Sequence, residues 1–193
     1  WWLSGIFRDV VLVTKPQTYI RDVFVVTDLD ACYRDATLQL KTAIQPPAGV
    51  ALAHLKNHTV SVQVFDGDSA ICESQAQSTN NKRIDEKGGW EDIVFHNIAI
   101  QNPKKWSAET PNLYRCVVSL QDDKGIILDV EAYDIGFRKV AIDNGQLCVN
   151  GKPILIRGVN RHEHHPQNGH VVNEADMLAD IKLMKQNNFN AVR

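Results

Sequence analysis

The sequence predicts a mainly β protein: a sandwich of short antiparallel strands that leads into the first βα unit of a (β/α)8 barrel. Three observations carry this. Alternating apolar and polar residues recur from Thr18 onward, separated by turn signals. Near the end, Ile154-Leu155-Ile156 is apolar on both faces and then breaks into Gly158 and the polar cluster Asn160-Arg161-His162-Glu163-His164-His165-Pro166. Covered parallel strands end in this way at barrel active sites. A helical pattern and a second short apolar run follow.

Taken in order, Ile6 to Val13 reads as one strand ending at Lys15-Pro16, and Trp1-Trp2-Leu3 before it is apolar enough to need a partner surface. Tyr19 to Thr27 is rich in β-branched and aromatic residues. Ala36, Leu38, Leu40, Thr42 and Ile44 alternate with Thr37, Gln39 and Lys41, a strand with one wet face. Pro46-Pro47-Ala48-Gly49 breaks it. Val60, Val62 and Val64 form the next strand, turned by Asp66-Gly67-Asp68. Glu73 to Lys87 is polar and aperiodic and reads as a long loop. Ile93 to Ile100, Leu113 to Leu120 and Ile126 to Ala132 are further strands, the last two joined through Asp122-Asp123-Lys124-Gly125. Phe137 to Ile142 and Gln146 to Val149 flank Asp143-Asn144-Gly145, a hairpin signal. About seven short strands at regular spacing is the pattern of an immunoglobulin-like sandwich.

Asn150-Gly151 is a turn dipeptide. Beyond the polar cluster, Asn173 can cap a helix with Glu174 and Asp176 in its first turn. Met177, Leu178, Ile181 and Met184 recur at helical spacing, and Asn187-Asn188 can supply a left-handed stop. Phe189-Asn190-Ala191-Val192 opens a second strand with Arg193 at its end.

Net charge is −2 and hydrophobic residues make up 44% of the 193. That balance gives no reason to expect nucleic acid or an acidic membrane as partner. No apolar run reaches the roughly 20 residues that span a bilayer. Cys32, Cys72, Cys116 and Cys148 form no CxxC pair, which excludes a zinc ribbon. Free buried thiols are expected of an intracellular-looking chain.

The cluster His162, Glu163, His164 and His165 admits three uses: a metal site, polar packing or a place in a sugar site. Pro166 and the preceding strand argue against the two-histidine helix of zinc proteases. Asp9 reads first as a surface carboxylate, and Arg193 as an exposed cation. Trp90 and Trp106 could stack on a sugar, though such residues more often close sandwich cores. Glu163 could serve as an acid or base, but no second carboxylate has a matching context. Asn173-Glu174 opens a helix, so it is not an acid/base pair.

Arg157-Gly158-Val159-Asn160-Arg161-His162-Glu163-His164-His165-Pro166, with Leu183 to Arg193, resembles the start of the catalytic barrel of bacterial β-galactosidases of glycoside hydrolase family 2. Ser4-Gly5-Ile6-Phe7-Arg8-Asp9-Val10 resembles the end of that family's sugar-binding jelly-roll domain. Trp106-Ser107-Ala108-Glu109, Pro111-Asn112-Leu113-Tyr114 and Gly136-Phe137-Arg138 resemble its immunoglobulin-like domain. The resemblance divides the chain into residues 1–15 (jelly-roll end), 16–142 (sandwich) and 143–193 (truncated barrel start), an internal fragment. It implies a retaining enzyme acting on terminal β-galactosides such as lactose, with both catalytic glutamates beyond Arg193 and the fragment itself inactive. It also implies that His162 bonds a galactose hydroxyl, that Asp9 reaches galactosyl hydroxyls and helps hold sodium, and that Arg193 supports the nucleophile. Magnesium and sodium, a homotetramer and a cytoplasmic location follow from the same resemblance. A β-sandwich binding or spacer module, and a fragment of a β-glucuronidase or β-mannosidase, are the alternatives.

Overall fold

The computed structural model describes residues 5–77, 82–84 and 90–193; for residues 52, 53, 77, 82–84 and 90–92 it describes the backbone alone. The chain divides into two compact units, Thr14–Pro153 and residues 5–13 with Ile154–Arg193.

The larger unit is a sandwich of two four-stranded antiparallel sheets. Its strands are β1 (Tyr19–Leu29), β2 (Ala36–Gln45), β3 (Thr59–Asp66), β4 (Ser69–Gln77), β5 (Lys82–Ile84), β6 (Trp90–Ile100), β7 (Tyr114–Gln121) and β8 (Ile127–Ile135). One sheet has the order β1-β2-β6-β5, the other β4-β3-β7-β8. The alternation in the sequence sets which face is dry. Leu38, Leu40 and Ile44 of β2 meet Val60, Val62 and Val64 of β3 and Cys116, Val118 and Leu120 of β7 in one core. Along β7, Tyr114, Cys116, Val118 and Leu120 are buried and alternate with less buried neighbours, so one-residue register is enforced there by burial.

Two polar groups qualify this dry core. His96 of β6 is buried, and its Nε2 donates to the Val60 carbonyl of the opposite sheet at 3.1 Å. The Nδ1 of His96 has no hydrogen-bond partner among the described residues, nor does the Thr42 hydroxyl. Burial therefore lowers the His96 pKa, because the charged ring would be poorly solvated. Above about pH 6.5, the ordinary histidine value, the ring is neutral in both folded and unfolded chains. Below it the unfolded chain takes up a proton that the fold resists, so stability falls with pH until the folded ring itself is protonated. Urea unfolding at pH 7.5 and 5.5 is expected to show this loss, and His96→Gln is expected to reduce it. Equal pH dependence in the two proteins would rule out His96 as its source.

The turns hold the strand order. Asp122 accepts from Lys124 N at 2.9 Å and Ile126 N at 2.8 Å, and Gly125 has φ +81, so the β7–β8 loop closes on its own side chain. Three short strands follow β8: β9 (Val140–Asp143), β10 (Gln146–Val149) and β11 (Lys152–Pro153). They form a three-stranded meander turned at Asn144-Gly145 and Asn150-Gly151, all four with positive φ.

In the second unit, β12 (Gly158–Val159) pairs in parallel with β13 (Ala191–Val192) across helix α1 (Glu174–Gln186). Asn173 caps the helix in a reciprocal box with Asp176. At the other end Asn188 has φ +61, Asn188 N donates to Lys185 O and Phe189 N to Met184 O, the Schellman arrangement.

Four expectations are corrected. Residues 5–13 form no strand: Ile6, Val10 and Leu12 are exposed, and no described strand pairs with them. A strand needs a neighbour's N–H and C=O groups. Trp1 to Leu3 lie outside the described residues. Within the expected loop Glu73 to Lys87 run the end of β4 and all of β5; both are edge strands, whose pairing comes from β3 and β6 rather than from an apolar pattern of their own. Residues 78–81 and 85–87 of that stretch lie outside the described residues. Ile154-Leu155-Ile156 is neither strand nor buried (40%, 68% and 61% exposed); the ladder begins at Gly158. Lastly, all four thiols are free as expected, but Cys32 is exposed and Cys72 half-buried. Cys116 is buried, and burial, reinforced by nearby Cys72, pushes its thiol up to about 12, which makes it unreactive.

Candidate functional site

The smaller unit places its polar cluster at the C-terminal end of β12. The backbone there is fixed by β13: Arg193 N donates to Val159 O at 3.0 Å and Arg161 N to Arg193 O at 2.9 Å. His162 therefore begins one residue beyond a bond to Arg193. The Arg161 guanidinium turns the other way and pairs with Asp180 of α1, Nε to Oδ2 2.6 Å, which ties the strand end to its own helix.

After His162 the chain makes a compact loop. His165 N donates to Gly169 O at 2.7 Å and Gly169 N returns to His165 O at 3.0 Å, with Gly169 at φ +63. His165 Nδ1 accepts from Gln167 N and Asn168 N, both at 3.1 Å, so its proton resides on Nε2, 3.8 Å from Asp176. His165 is thus occupied in holding the loop. His164 and His170 stack edge to face with ring centroids 5.4 Å apart, and His170 Nδ1 lies 3.3 Å from the Glu163 carbonyl.

Residues 5–13 close over this loop. Arg8 pairs with the Glu163 carboxylate and its Nη1 reaches the His170 carbonyl at 3.4 Å. Phe7 packs on His170 at 5.8 Å. Asp9 follows Arg8 directly, as His162 directly precedes Glu163. Asp9, His162 and Arg193 are exposed, and no hydrogen bond joins the three among the described residues. Asp9 and His162 each adjoin a residue of the Arg8–Glu163 pair, and the Arg193 backbone itself bonds Val159 and Arg161. Exposed side chains at the end of a barrel strand remain free to meet a ligand's hydroxyl groups. The sequence did not mark Phe7, Arg8, His170 or Asp180 as partners in these contacts; Phe7 and Arg8 entered only as part of the Ser4–Val10 resemblance.

Among the described residues no three His, Cys, Asp or Glu side chains gather as a metal-ligand set. Hard cations take several oxygen ligands at once, and the exposed Asp9 carboxylate alone does not form such a site. Nor is any described helix long and apolar enough to cross a membrane.

The aromatic candidates part ways. The Trp90 side chain lies outside the described residues. Trp106 is held in the sandwich unit: Arg138 covers one ring face at 4.5 Å, and Gly136 lies so close that a Cβ there would stand 2.9 Å from the indole. Asn150 Nδ2 donates to Trp106 O, and Tyr114 meets Phe137 edge to face at 5.2 Å. Trp106, Tyr114, Gly136, Phe137 and Arg138 converge as a structural lock, so the stacking role for Trp106 gives way to packing.

Comparison with known proteins gives two family matches: Glycosyl hydrolases family 2 over residues 18–138, and the TIM barrel domain of the same family over residues 140–193. A protein named Beta-galactosidase from Pseudoalteromonas haloplanktis is 70% identical over 193 residues, and one of the same name from Alteromonas mediterranea is 61% identical. Both alignments cover 100% of this chain and 18% of the relative. Among solved structures, a glycosyl hydrolase family 2 member from Bacteroides cellulosilyticus matches with TM-score 0.77 at 20% identity, over 93% of this chain and 22% of that one. A β-glucuronidase from Parabacteroides merdae matches at 0.71 and 22%, over 92% and 21%. At such identities the structures establish the fold alone.

Proposed function

This chain belongs to the glycosyl hydrolases of family 2, and from that premise we propose that it is part of a retaining β-galactosidase that hydrolyses terminal β-D-galactosides such as lactose. The observation that carries the substrate is the 70% identity along the whole chain to a protein named Beta-galactosidase. The chain spans about a fifth of that relative's length. The nucleophile and the acid/base, two glutamates in this reading, would come from other parts of the longer protein.

In this reading His162 bonds a galactose hydroxyl, and Asp9 reaches galactosyl hydroxyls from the segment that Arg8 pins to Glu163. Arg193 supports the nucleophilic carboxylate, since a fixed guanidinium holds a carboxylate ionised and oriented. Sodium beside Asp9 and magnesium nearby belong to the same proposal; bound cations there would offset negative charge, and this chain would contribute only part of their oxygen ligands. A homotetramer, a cytoplasmic location and the absence of nucleic-acid or membrane partners complete the reading. The sandwich acts in it as a spacer, consistent with the structural lock around Trp106.

The test is His162→Ala in the full-length protein, assayed with galactosides each lacking one hydroxyl. Loss of one hydrogen bond costs about 0.5–1.5 kcal/mol, more if it strengthens in the transition state. Wild type and variant should treat one deoxy-galactoside nearly alike, because its contact is already missing. A constant mutant-to-wild-type ratio across the whole deoxy series would remove His162 from the sugar site.

A further inference from the structure

We propose that Asn190 is a positioning residue of the sugar site, setting the register between β12 and β13 and through it the placement of His162 and Arg193. The inference rests on the reading of those two residues given above.

The parallel ladder is short. Gly158 pairs with Ala191 and Val159 with Val192, and bonds from Arg193 N to Val159 O and Arg161 N to Arg193 O extend it forward. Toward the N-terminal side, regular pairing stops. There Asn190 N donates to Arg157 O at 3.0 Å, and the Asn190 side chain takes over. Its Oδ1 accepts from Arg157 N at 2.8 Å and its Nδ2 donates to Leu155 O at 2.8 Å. A carboxamide has the donor and acceptor of a peptide group, so Asn190 supplies the rung that the backbone lacks. Three bonds from one residue thus fix residues 155–157 against β13.

In this chain hydrogen bonds, not burial, hold this residue. Asn190 is exposed, and Leu155 and Ile156 beside it are 68% and 61% exposed. Its placement comes instead from the end of α1, where the left-handed Asn188 and the Phe189-to-Met184 bond deliver Asn190 at a fixed point before β13. Register matters here because a slip of one residue turns every side chain of a strand to the other face. His162 follows β12 and Arg193 ends β13, so a slip moves both.

Asn190→Asp keeps an acceptor for Arg157 N but removes the donor to Leu155 O and sets a carboxylate against that carbonyl. The experiment measures kcat and KM for nitrophenyl β-galactoside with the full-length protein as wild type, Asn190→Asp, His162→Ala and the double variant, at a temperature where circular dichroism shows all four folded. Displacing a substrate-positioning group by about 1 Å can cost on the order of a hundredfold. Asn190→Asp is expected to lower kcat/KM by about ten- to a hundredfold. In the His162→Ala background its further effect should shrink several-fold, because coupled residues are not additive. Losses that multiply independently, or Asn190→Asp within about twofold of wild type, would overturn the proposal. If His162→Ala itself leaves turnover and the deoxy series unchanged, the sugar-site reading fails and the proposal with it; if His162→Ala is impaired and Asn190→Asp is not, the proposal alone fails. Should Asn190→Asp not accumulate folded, Asn190→Ser, whose hydroxyl cannot span both partners, is read by the same outcomes.

Discussion

Phe137→Ala is expected to cost the sandwich about 3–5 kcal/mol, the usual range for deleting a buried phenyl ring. Phe137 is fully buried and meets Tyr114 edge to face. Its carbonyl accepts from Trp106 N at 2.9 Å, so the ring is anchored where the two sheets close. Truncation removes the burial free energy and leaves a cavity that neighbours fill only in part. Domains of this size lose about 2–4 °C per kcal/mol, so the melting temperature should fall on the order of 10 °C. Phe24 and Phe95, 60% and 61% exposed on the outer face of the other sheet, provide the control. Replacing either by alanine should change stability by about 0.5 kcal/mol or less. Urea unfolding of the three variants checks this; a Phe137→Ala midpoint no lower than that of Phe24→Ala would show that the ring is not part of the core.

The largest effect on activity is expected from comparing the 193-residue chain with the full-length protein. The chain alone should not hydrolyse nitrophenyl β-galactoside, whereas enzymes accelerate such reactions by many orders of magnitude. Retaining hydrolysis needs a nucleophile and an acid/base facing one bond. In the smaller unit three carboxylates are already engaged: Glu163 with Arg8, Asp180 with Arg161, and Asp176 in the Asn173 cap beside His165. Turnover by the purified chain above a heat-killed control, abolished by Glu163→Gln, would overturn this.

The sandwich was legible wherever burial writes its own period into the sequence. Ala36 to Ile44 and Val60 to Val64 show inward and outward residues directly, and both strands form as expected. Asn144-Gly145 and Asn150-Gly151 announced their turns because both residues tolerate positive φ. The edge strands β4 and β5 were not legible, since a neighbour's backbone supplies what their side chains do not. Ile154-Leu155-Ile156 misled for the converse reason: its composition suits a buried strand, but a strand extends only as far as its partner. The site was legible as a polar cluster and by family likeness. Its ties were not, because they join residues far apart in sequence. Arg8 and Glu163 are 155 positions apart, Asn190 and Leu155 are 35 apart, and no local pattern records either pair.

The self-closed loop at Asp122 bears on the order in which the sandwich assembles. Its bonds lie within residues 122–126, and β7 and β8 then pair from Gln121 with Ile127 outward, with a register shift before Leu120 and Asp129, so this hairpin needs nothing distant. Such a hairpin forms in about 1–10 μs. The pairings Leu38 with Ile98 and Val62 with Val118 must first close long stretches of chain, at an entropic cost that the local hairpin escapes. The β7–β8 hairpin, like the sequence-adjacent β1–β2 and β3–β4 pairs, is a local contact, whereas β2–β6 and β3–β7 are distant ones, and non-local pairings of that kind are the ones that slow folding.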